Sequence, residues 1–211
     1  MKKHFEAMRK AGSSLALFAF ISVLLVSVTN KLTQQKILDN QSSMLLSALN
    51  EIVPKSEHDN DLIQSKTFLP AQETGFANDT PLYLATKNGQ AATAIFEVTT
   101  LKGYSGAITL LIGINAKDQN ISGVRIVKHK ETPGLGDKME TRKSDWVYTF
   151  NNKSLGNPAI NDWQVKKDGG QFDQFTGATI TPRAIVNAVR STLLYVQKNN
   201  NKVFKIKLGN D

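Results

Sequence analysis

The stretch "DGGQFDQFTGATITPRAIVNAVR", residues 168–190, places three threonines directly before a predicted helix. Pro182 suits the first turn of a helix, where its missing N–H costs no hydrogen bond, and Thr181 before it is predicted to be the N-cap. The apolar residues that follow recur at helical spacing and predict one buried face through about residue 198: Ile185, Val189, Leu193 and Val196. One capping hydroxyl is enough for such a start, so Thr176 and Thr179 need another explanation.

Only small residues, Gly177 and Ala178, separate the two remaining threonines. The first N–H groups of a helix are unpaired and the helix dipole is positive there, so this place favours an anion such as phosphate. The residues alone leave two interpretations open, a plain loop with a helix cap and a phosphate site. Neither a P-loop nor a glycine-rich dinucleotide fingerprint is present, so any phosphate here is held in another way.

The chain starts with a basic tail, residues 1–10, followed by an uncharged and mostly apolar run, residues 11–30. As a helix, this run spans about 30 Å, the thickness of the hydrocarbon core of a bilayer. A buried helix would carry a polar stripe, and a signal peptide would have a shorter apolar run and a better cleavage site, so we predict an uncleaved transmembrane helix. Basic residues are denser before the run than after it, which predicts a cytoplasmic N-terminus and an extracytoplasmic chain from about residue 31 onward.

Beyond this span the sequence predicts a single α+β domain, with an antiparallel sheet and flanking helices. Residues 31–54 continue at helical spacing up to Pro54 and are predicted to form a helical stalk, which leaves residues 55–211 for the domain. Residues 55–81 are polar and punctuated, so we expect loops with at most one short strand. Runs of strand-like composition separated by glycine-containing turns then predict an antiparallel meander: "PLYLATKNG", "AATAIFEVTTLKGYSGAITLLIGINA" and "ISGVRIVKH".

Two further elements are expected between the meander and the opening stretch. The segment "METRKSDWVYTFNN" predicts a helix that carries Trp146 and Phe150 one turn apart, and "DWQVKK" predicts a strand. Both tryptophans, Trp146 and Trp163, are expected in the core.

Composition excludes several classes of function. The chain has 211 residues, no cysteine and a formal net charge of +8. Without cysteine there is no disulfide, thiolate nucleophile, iron–sulfur ligand or Cys-ligated zinc. The three histidines are far apart and no nucleophile elbow is present, so we predict neither a metal site nor a catalytic residue, and His129 is assigned no role. The lysines beyond residue 30 are scattered without interleaved aromatics, so no nucleic-acid partner is predicted.

The stretch "DQFTGAT", Asp173–Thr179, matches the Asp-x-x-Ser/Thr-Gly-Ala-Thr sequence at which a flavin transferase esterifies FMN phosphate to the final threonine. Three other stretches look like the same covalent FMN-binding domains: "GYSGAI", "HKETPGLGDKM" and "DWQVKKDGG". With its single N-terminal span, nearly the whole chain resembles the RnfG family, the G subunits of Rnf (also called Rsx) electron-transport complexes. That family is related to NqrC, the C subunit of the sodium-translocating NADH:quinone reductase. Residues 55–81 resemble it least.

The resemblance assigns the two surplus hydroxyls. Thr179 would be the acceptor that carries covalent FMN as a phosphoester, and Asp173 and Thr176 would be read by the transferase and support the loop. Gly177 and Ala178 would let the transferase approach. A threonine hydroxyl is a poor nucleophile unaided and no histidine lies in this stretch, so its activation must come from the transferase and its metal.

The stretch "HKETPGLGDKM", residues 129–139, allows two interpretations. Pro133 and Gly134 are a common pair in a type II turn, which Gly136 and Asp137 could extend. The alternative, which the resemblance favours, is that Gly134 and Gly136 let the backbone approach a flavin ring lined by three side chains: Glu131, Thr132 and Leu135.

The resemblance implies a membrane-anchored flavoprotein subunit of a redox-driven ion-translocating complex, which relays electrons through its FMN. It further implies a bacterial inner membrane, a periplasmic main domain, other membrane subunits of the Rnf complex as partners, and a flavin transferase during maturation. The chain has no NAD-binding fingerprint and one span, so NADH oxidation and the ion path belong to partners. Two alternatives stay open, the FMN subunit of a sodium-pumping NADH:quinone reductase and a non-redox anchored scaffold.

Overall fold

The computed structural model describes residues 2–205, so the last six residues of the predicted domain lie outside the described chain. Helix α1 (Lys2–Ile52) is continuous and ends directly before Pro54, as predicted. The part from Met8 onward is long and apolar enough to cross a membrane by length and composition. Large apolar side chains are exposed along it from Leu15 to Leu32, so this helix has the apolar surface of a membrane span.

A second compact unit begins at Leu45 and is built on a five-stranded antiparallel sheet. The strands are paired in chain order, so the predicted meander is confirmed: β1 (Thr67–Leu69), β2 (Thr80–Lys87), β3 (Gln90–Thr100), β4 (Ile108–Asn115) and β5 (Ile121–Lys128). The one-turn helix α2 (Ala71–Thr74) separates β1 from β2, and the long helix α3 (Ile180–Phe204) follows the sheet. The fold is therefore α+β, as the sequence predicts.

Alternating side chains of the strands form two apolar layers, one on each face of the sheet. Helix α3 covers one face, and the four residues of its predicted apolar stripe are all buried there. On the other face Leu49 and Ile52 of α1 are buried together with Tyr83 and Ile95. The end of the predicted stalk thus belongs to the core of the domain, because its apolar residues recur on one face of the helix.

The segment between β5 and α3 differs from the prediction. Trp146–Phe150 is a 3-10 helix, and the predicted strand "DWQVKK" is instead divided between two short 3-10 turns, Ile160–Asp162 and Lys166–Asp168. Ser144 explains part of the difference, because its hydroxyl donates to the Lys138 carbonyl oxygen at 2.5 Å and accepts from the Trp146 N–H at 3.2 Å. Such local side-chain bonds compete with regular helix. Both tryptophans are buried, as predicted.

The end of α1 approaches the sheet over two glycines that are paired across β4 and β5, Gly113 and Gly123. A Cβ at Gly113 would lie 2.3 Å from Ile52 Cγ2 and 2.4 Å from Ser122 Oγ. We expect Gly113→Ala to lower the free energy of unfolding by about 1–3 kcal/mol, because one of these neighbours must move. Urea unfolding of the full chain in detergent measures the loss. Gly156→Ala is the control, since a Cβ there meets nothing within 4 Å; equal effects would contradict the close approach.

Candidate functional site

The loop that carries the threonines is a tight turn, closed by the Ala178 N–H, which donates to the Phe175 carbonyl oxygen at 3.1 Å. Gly177 occupies the third position of this turn with a φ of +81°, a conformation that residues with a Cβ rarely adopt. The turn therefore requires glycine at 177 for its own geometry. Thr176 is exposed beside it, and Ala178 and Thr179 are half-buried.

The three threonines have three different environments. Helix α3 begins at Ile180 with Thr179 in the N-cap position, so the prediction that Thr181 caps the helix is wrong. Thr181 is fully buried in the first turn, where its hydroxyl donates to Glu131 Oε2 at 2.5 Å. Pro182 lies in this first turn, as predicted.

The N-cap position is filled without a capping hydrogen bond. The backbone of Thr179 is helical (φ −68°, ψ −28°), and its side chain makes no bond to the helix amides, whereas a capping side chain belongs to a residue with extended backbone. No intramolecular partner of the Thr179 or Thr176 hydroxyl is found within residues 2–205. The Thr179 hydroxyl is thus partly exposed, uncommitted and next to the positive end of α3.

Aromatic side chains anchor this loop from below. The Trp146 Nε1–H donates to the Asp173 carbonyl oxygen at 2.8 Å, and the Trp146 ring meets the Phe175 ring edge to face at 4.9 Å. Phe172 packs on Phe150 in the same layer at 4.8 Å. The loop therefore rests on the core, while the Asp173 carboxylate forms an exposed ion pair with Lys166, a type of contact that adds little stability.

The second stretch forms the predicted turn. The Leu135 and Gly136 N–H groups donate to the Thr132 carbonyl oxygen at 3.2 and 3.1 Å, and Gly134 has a φ of +80°. Thr132 and Leu135 are exposed, whereas Gly136 is buried. Glu131 is 5 % exposed, so its carboxylate lies inside the protein.

Tertiary structure brings the two stretches together at the start of α3. A Cβ at Gly177 would lie 3.5 Å from Leu135 Cδ2, and the Glu131–Thr181 hydrogen bond joins the two loops below the surface. The β3–β4 loop joins them through Ser105, whose N–H donates to Glu131 Oε1 at 2.9 Å. All nine predicted cofactor-binding residues belong to these two adjoining loops, and their contact with a flavin stays a prediction.

Sequence analysis missed His129, which was assigned no role. Its Nδ1 accepts from the Glu131 N–H at 3.0 Å and its Nε2–H donates to Glu140 Oε1 at 2.8 Å, an assignment that follows because a backbone N–H can only donate. Burial raises the pKa of Glu140, but hydrogen bonds from Arg142 and His129 more than offset this and leave it below the ordinary value. His129 thus fixes the loop that begins at Glu131, a contact that no spacing in the sequence indicates.

Asp137 closes the second loop and makes its stability depend on pH. The hydrogen bond from the Gly134 N–H, at 2.8 Å, outweighs the effect of burial and, with Lys143, holds the pKa of this carboxyl below its ordinary value of 3.8. A carboxyl with a lowered folded pKa stabilises the protein above the unfolded pKa, and that contribution is lost as the pH falls through the folded pKa. We expect Asp137→Asn to lower the melting temperature at neutral pH and to flatten its fall in acid.

Thermal melts of the full chain in detergent, from neutral pH down to below the ordinary carboxyl pKa, measure this dependence. Asp145→Asn is the control, since Asp145 is exposed. A fall in acid as steep in Asp137→Asn as in the wild type would contradict the assignment.

Comparisons with known proteins agree with this site. Residues 103–194 match the family model of the FMN-binding domain, and residues 1–52 match that of the RnfG N-terminal region. The G subunit of the ion-translocating oxidoreductase complex of Pseudoalteromonas atlantica is 46% identical over 201 residues, 94% of this chain and 93% of that protein. The G subunit of the Vibrio atlanticus complex is 44% identical over 195 residues, 92% and 93% of the two chains. The crystal structure of Shewanella oneidensis NqrC has a TM-score of 0.47 at 20% identity and covers 71% of this chain and 72% of that one.

The class is therefore that of FMN-binding domains, which here comprises β4, β5, the two loops and the start of α3. The chain belongs to the RnfG family, the G subunits of ion-translocating oxidoreductase complexes, because its relatives align over more than nine-tenths of its length. The family expected from the motifs is confirmed.

The residues of the site fit a phosphorylated flavin. The first amides of α3 and its dipole favour a phosphate next to the uncommitted Thr179 hydroxyl. Leu135 and Ile180 are 44% and 43% exposed beside it and offer apolar contact to a flat ring. Gly177 leaves the surface between them without a side chain.

Proposed function

We propose that this chain is a membrane-anchored flavoprotein subunit of a redox-driven ion-translocating complex, with FMN esterified through its phosphate to Thr179. The observation that carries the proposal is the Thr179 hydroxyl, which is partly exposed, makes no intramolecular hydrogen bond and lies at the N-terminus of α3. A helix cap explains the position of this residue but not the absence of a capping bond. An attachment point explains both.

The chain's own residues would hold and orient the cofactor. The unpaired amides of the first turn of α3 stabilise the phosphate, and the turn at Gly177 presents the Thr179 hydroxyl to solvent. No histidine lies between residues 168 and 190, so the proton of the hydroxyl is removed by the transferase. When bound, FMN supplies the electron-transfer chemistry, while the protein supplies binding, orientation and electrostatics.

The proposed arrangement is a cytoplasmic tail at residues 1–10, a span at 11–30 in the bacterial inner membrane, a helical stalk at 31–54 and a periplasmic FMN-binding domain from residue 55. The structural core already includes the end of the stalk from Leu49. Partners would be the other membrane subunits of the complex and, during maturation, a flavin transferase. Electron relay between those subunits is the function that the single span and the single flavin site support.

Intact mass of the full chain, expressed with and without a flavin transferase, tests the attachment. The phosphoester forms between threonine Oγ and the FMN phosphorus with net loss of water, so the expected gain is the mass of FMN less one water. Flavin fluorescence must stay with the protein on a denaturing gel. A wild-type chain that gains no mass would contradict the proposal and favour a scaffold with a plain helix cap.

The absence of cysteine makes the orientation testable without background mutations. Gly156→Cys lies on the exposed surface of the domain, and Met8→Cys lies near the tail. In spheroplasts, a membrane-impermeant maleimide should label Gly156→Cys and should leave Met8→Cys unlabelled until the membrane is broken. The reverse pattern would contradict a periplasmic domain.

A further inference from the structure

Glu131 is a buried carboxylate without a cationic partner. It is 5 % exposed, and no lysine, arginine or histidine within residues 2–205 forms an ion pair with it. A carboxylate without such a partner is costly to bury unless hydrogen bonds and local dipoles replace its water. Its retention therefore indicates a local arrangement that uses the charge.

Two hydrogen bonds from two other segments replace that water. The Thr181 hydroxyl donates to Oε2 at 2.5 Å from the first turn of α3, and the Ser105 N–H donates to Oε1 at 2.9 Å from the β3–β4 loop. The positive end of the α3 dipole adds to the compensation, since Thr181 belongs to the first turn. One carboxylate thus joins three segments that are remote in sequence.

Two glycines shape the space around the carboxylate. A Cβ at Gly103 would lie 2.9 Å from Glu131 Oε1, and a Cβ at Gly136 would lie 3.0 Å from Oε2 and 3.2 Å from Thr181 Oγ1. No side chain larger than hydrogen fits at either position without displacing the carboxylate or its partners. The surrounding backbone is therefore cut to this one group.

We propose that Glu131 is a positioning residue for flavin attachment, a role that rests on the proposed function of Thr179. Through Thr181 it fixes the first turn of α3, and through its own loop and Ser105 it fixes the two loops beside that turn. Thr179 precedes Thr181 by two residues, so its hydroxyl is held at a defined place relative to these loops. A displacement of about 1 Å in a reacting group can cost about a hundredfold in rate.

The variants separate positioning from simple stabilisation. Thr181→Val removes the donated hydrogen bond at constant shape, and Glu131→Ala removes the carboxylate. Glu131→Gln retains an acceptor for the Ser105 N–H and can donate to Thr181, so it keeps the connection without the charge. Thr192→Val is the matched control, because Thr192 is equally buried on α3 but its hydroxyl donates to the Ala188 carbonyl oxygen.

The initial rate of flavin attachment to the full chain, with purified transferase and its flavin donor, is measured by intact mass together with the melting temperature of each flavin-free variant. Amide hydrogen exchange of residues 176–184 and 103–106 in the same flavin-free chains is the second readout. We expect Thr181→Val and Glu131→Ala to slow attachment about tenfold or more and to speed exchange in both segments. Glu131→Gln and Thr192→Val should stay close to the wild type in both.

Attachment at the wild-type rate in Thr181→Val and Glu131→Ala would overturn the positioning role while the proposed function stands. A slowing in Thr192→Val equal to that in Thr181→Val, at equal melting temperature, would overturn it as well, because stability alone would then explain the rate. A wild-type chain that takes up no flavin would instead remove the proposed function, and the positioning role with it.

Discussion

Thr179→Ala is expected to abolish covalent flavin attachment while leaving the fold intact. Alanine removes the Oγ atom to which the phosphorus would be bound, so no mass gain and no gel fluorescence should remain. An N-cap threonine usually contributes about 0.5–2 kcal/mol through its capping hydrogen bond. Thr179 makes no such bond, so we expect the free energy of unfolding of the flavin-free chain to change by less than about 0.5 kcal/mol.

Matched variants make the result specific. Thr179→Ser keeps a hydroxyl at the same position and should retain attachment. Thr176→Ala removes an exposed hydroxyl in the same loop and should leave Thr179 modified, at a rate that reports how the transferase reads the loop. Modification that persists in Thr179→Ala and disappears in Thr176→Ala would move the attachment point to Thr176. Thr181 is not an alternative acceptor, because it is fully buried and bonded to Glu131.

Gly170→Ala is expected to cause the largest loss of stability among the glycine variants. A Cβ at Gly170 would lie 2.1 Å from the carbonyl oxygen of Gln164 and 2.4 Å from its carbonyl carbon. Both are backbone atoms of a hairpin closed by the bond from the Phe172 N–H to the Gln164 oxygen at 3.1 Å. No flexible side chain can give way, so we expect a loss of about 3 kcal/mol or more, beyond typical overpacking.

Urea unfolding of the full chain in detergent compares Gly170→Ala with two other glycine variants. Gly113→Ala should lose less, because its clashes are with side-chain atoms of Ile52 and Ser122, and Gly156→Ala should be neutral because its surroundings are open. Phe172 and Trp163 pack together at 5.0 Å directly beside the hairpin, so loss of near-ultraviolet circular dichroism should accompany the effect. A Gly170→Ala protein as stable as Gly156→Ala would show that the hairpin can open at little cost.

Local patterns were sufficient for the regular elements. The meander follows from alternating apolar runs separated by glycine turns, and both neighbours in each hairpin lie close in sequence. The buried face of α3 follows from helical spacing, and the end of α1 from Pro54. The type II turn at Gly134 follows from its Pro-Gly pair.

Short segments governed by single side-chain bonds could not be predicted in the same way. The chain from Trp146 to Phe150 has helical spacing, but Ser144 and the aromatic layer hold it as a 3-10 helix. The end of α1 has the periodicity of a stalk, yet Leu49 lies in the core because the sheet offers an apolar face to it. Periodicity shows which face of an element is apolar, but it does not show what covers that face.

The sequence by itself determined the class of the domain, the family and the threonine proposed for FMN, because a short contiguous motif carries them. Only the tertiary structure decided how the three threonines divide their roles. Thr181 is the expected cap from its neighbour Pro182, but a carboxylate fifty residues away takes its hydroxyl and leaves Thr179 uncommitted. A charged acceptor in a buried site forms the stronger bond, and its position depends on chain folding that no local pattern records.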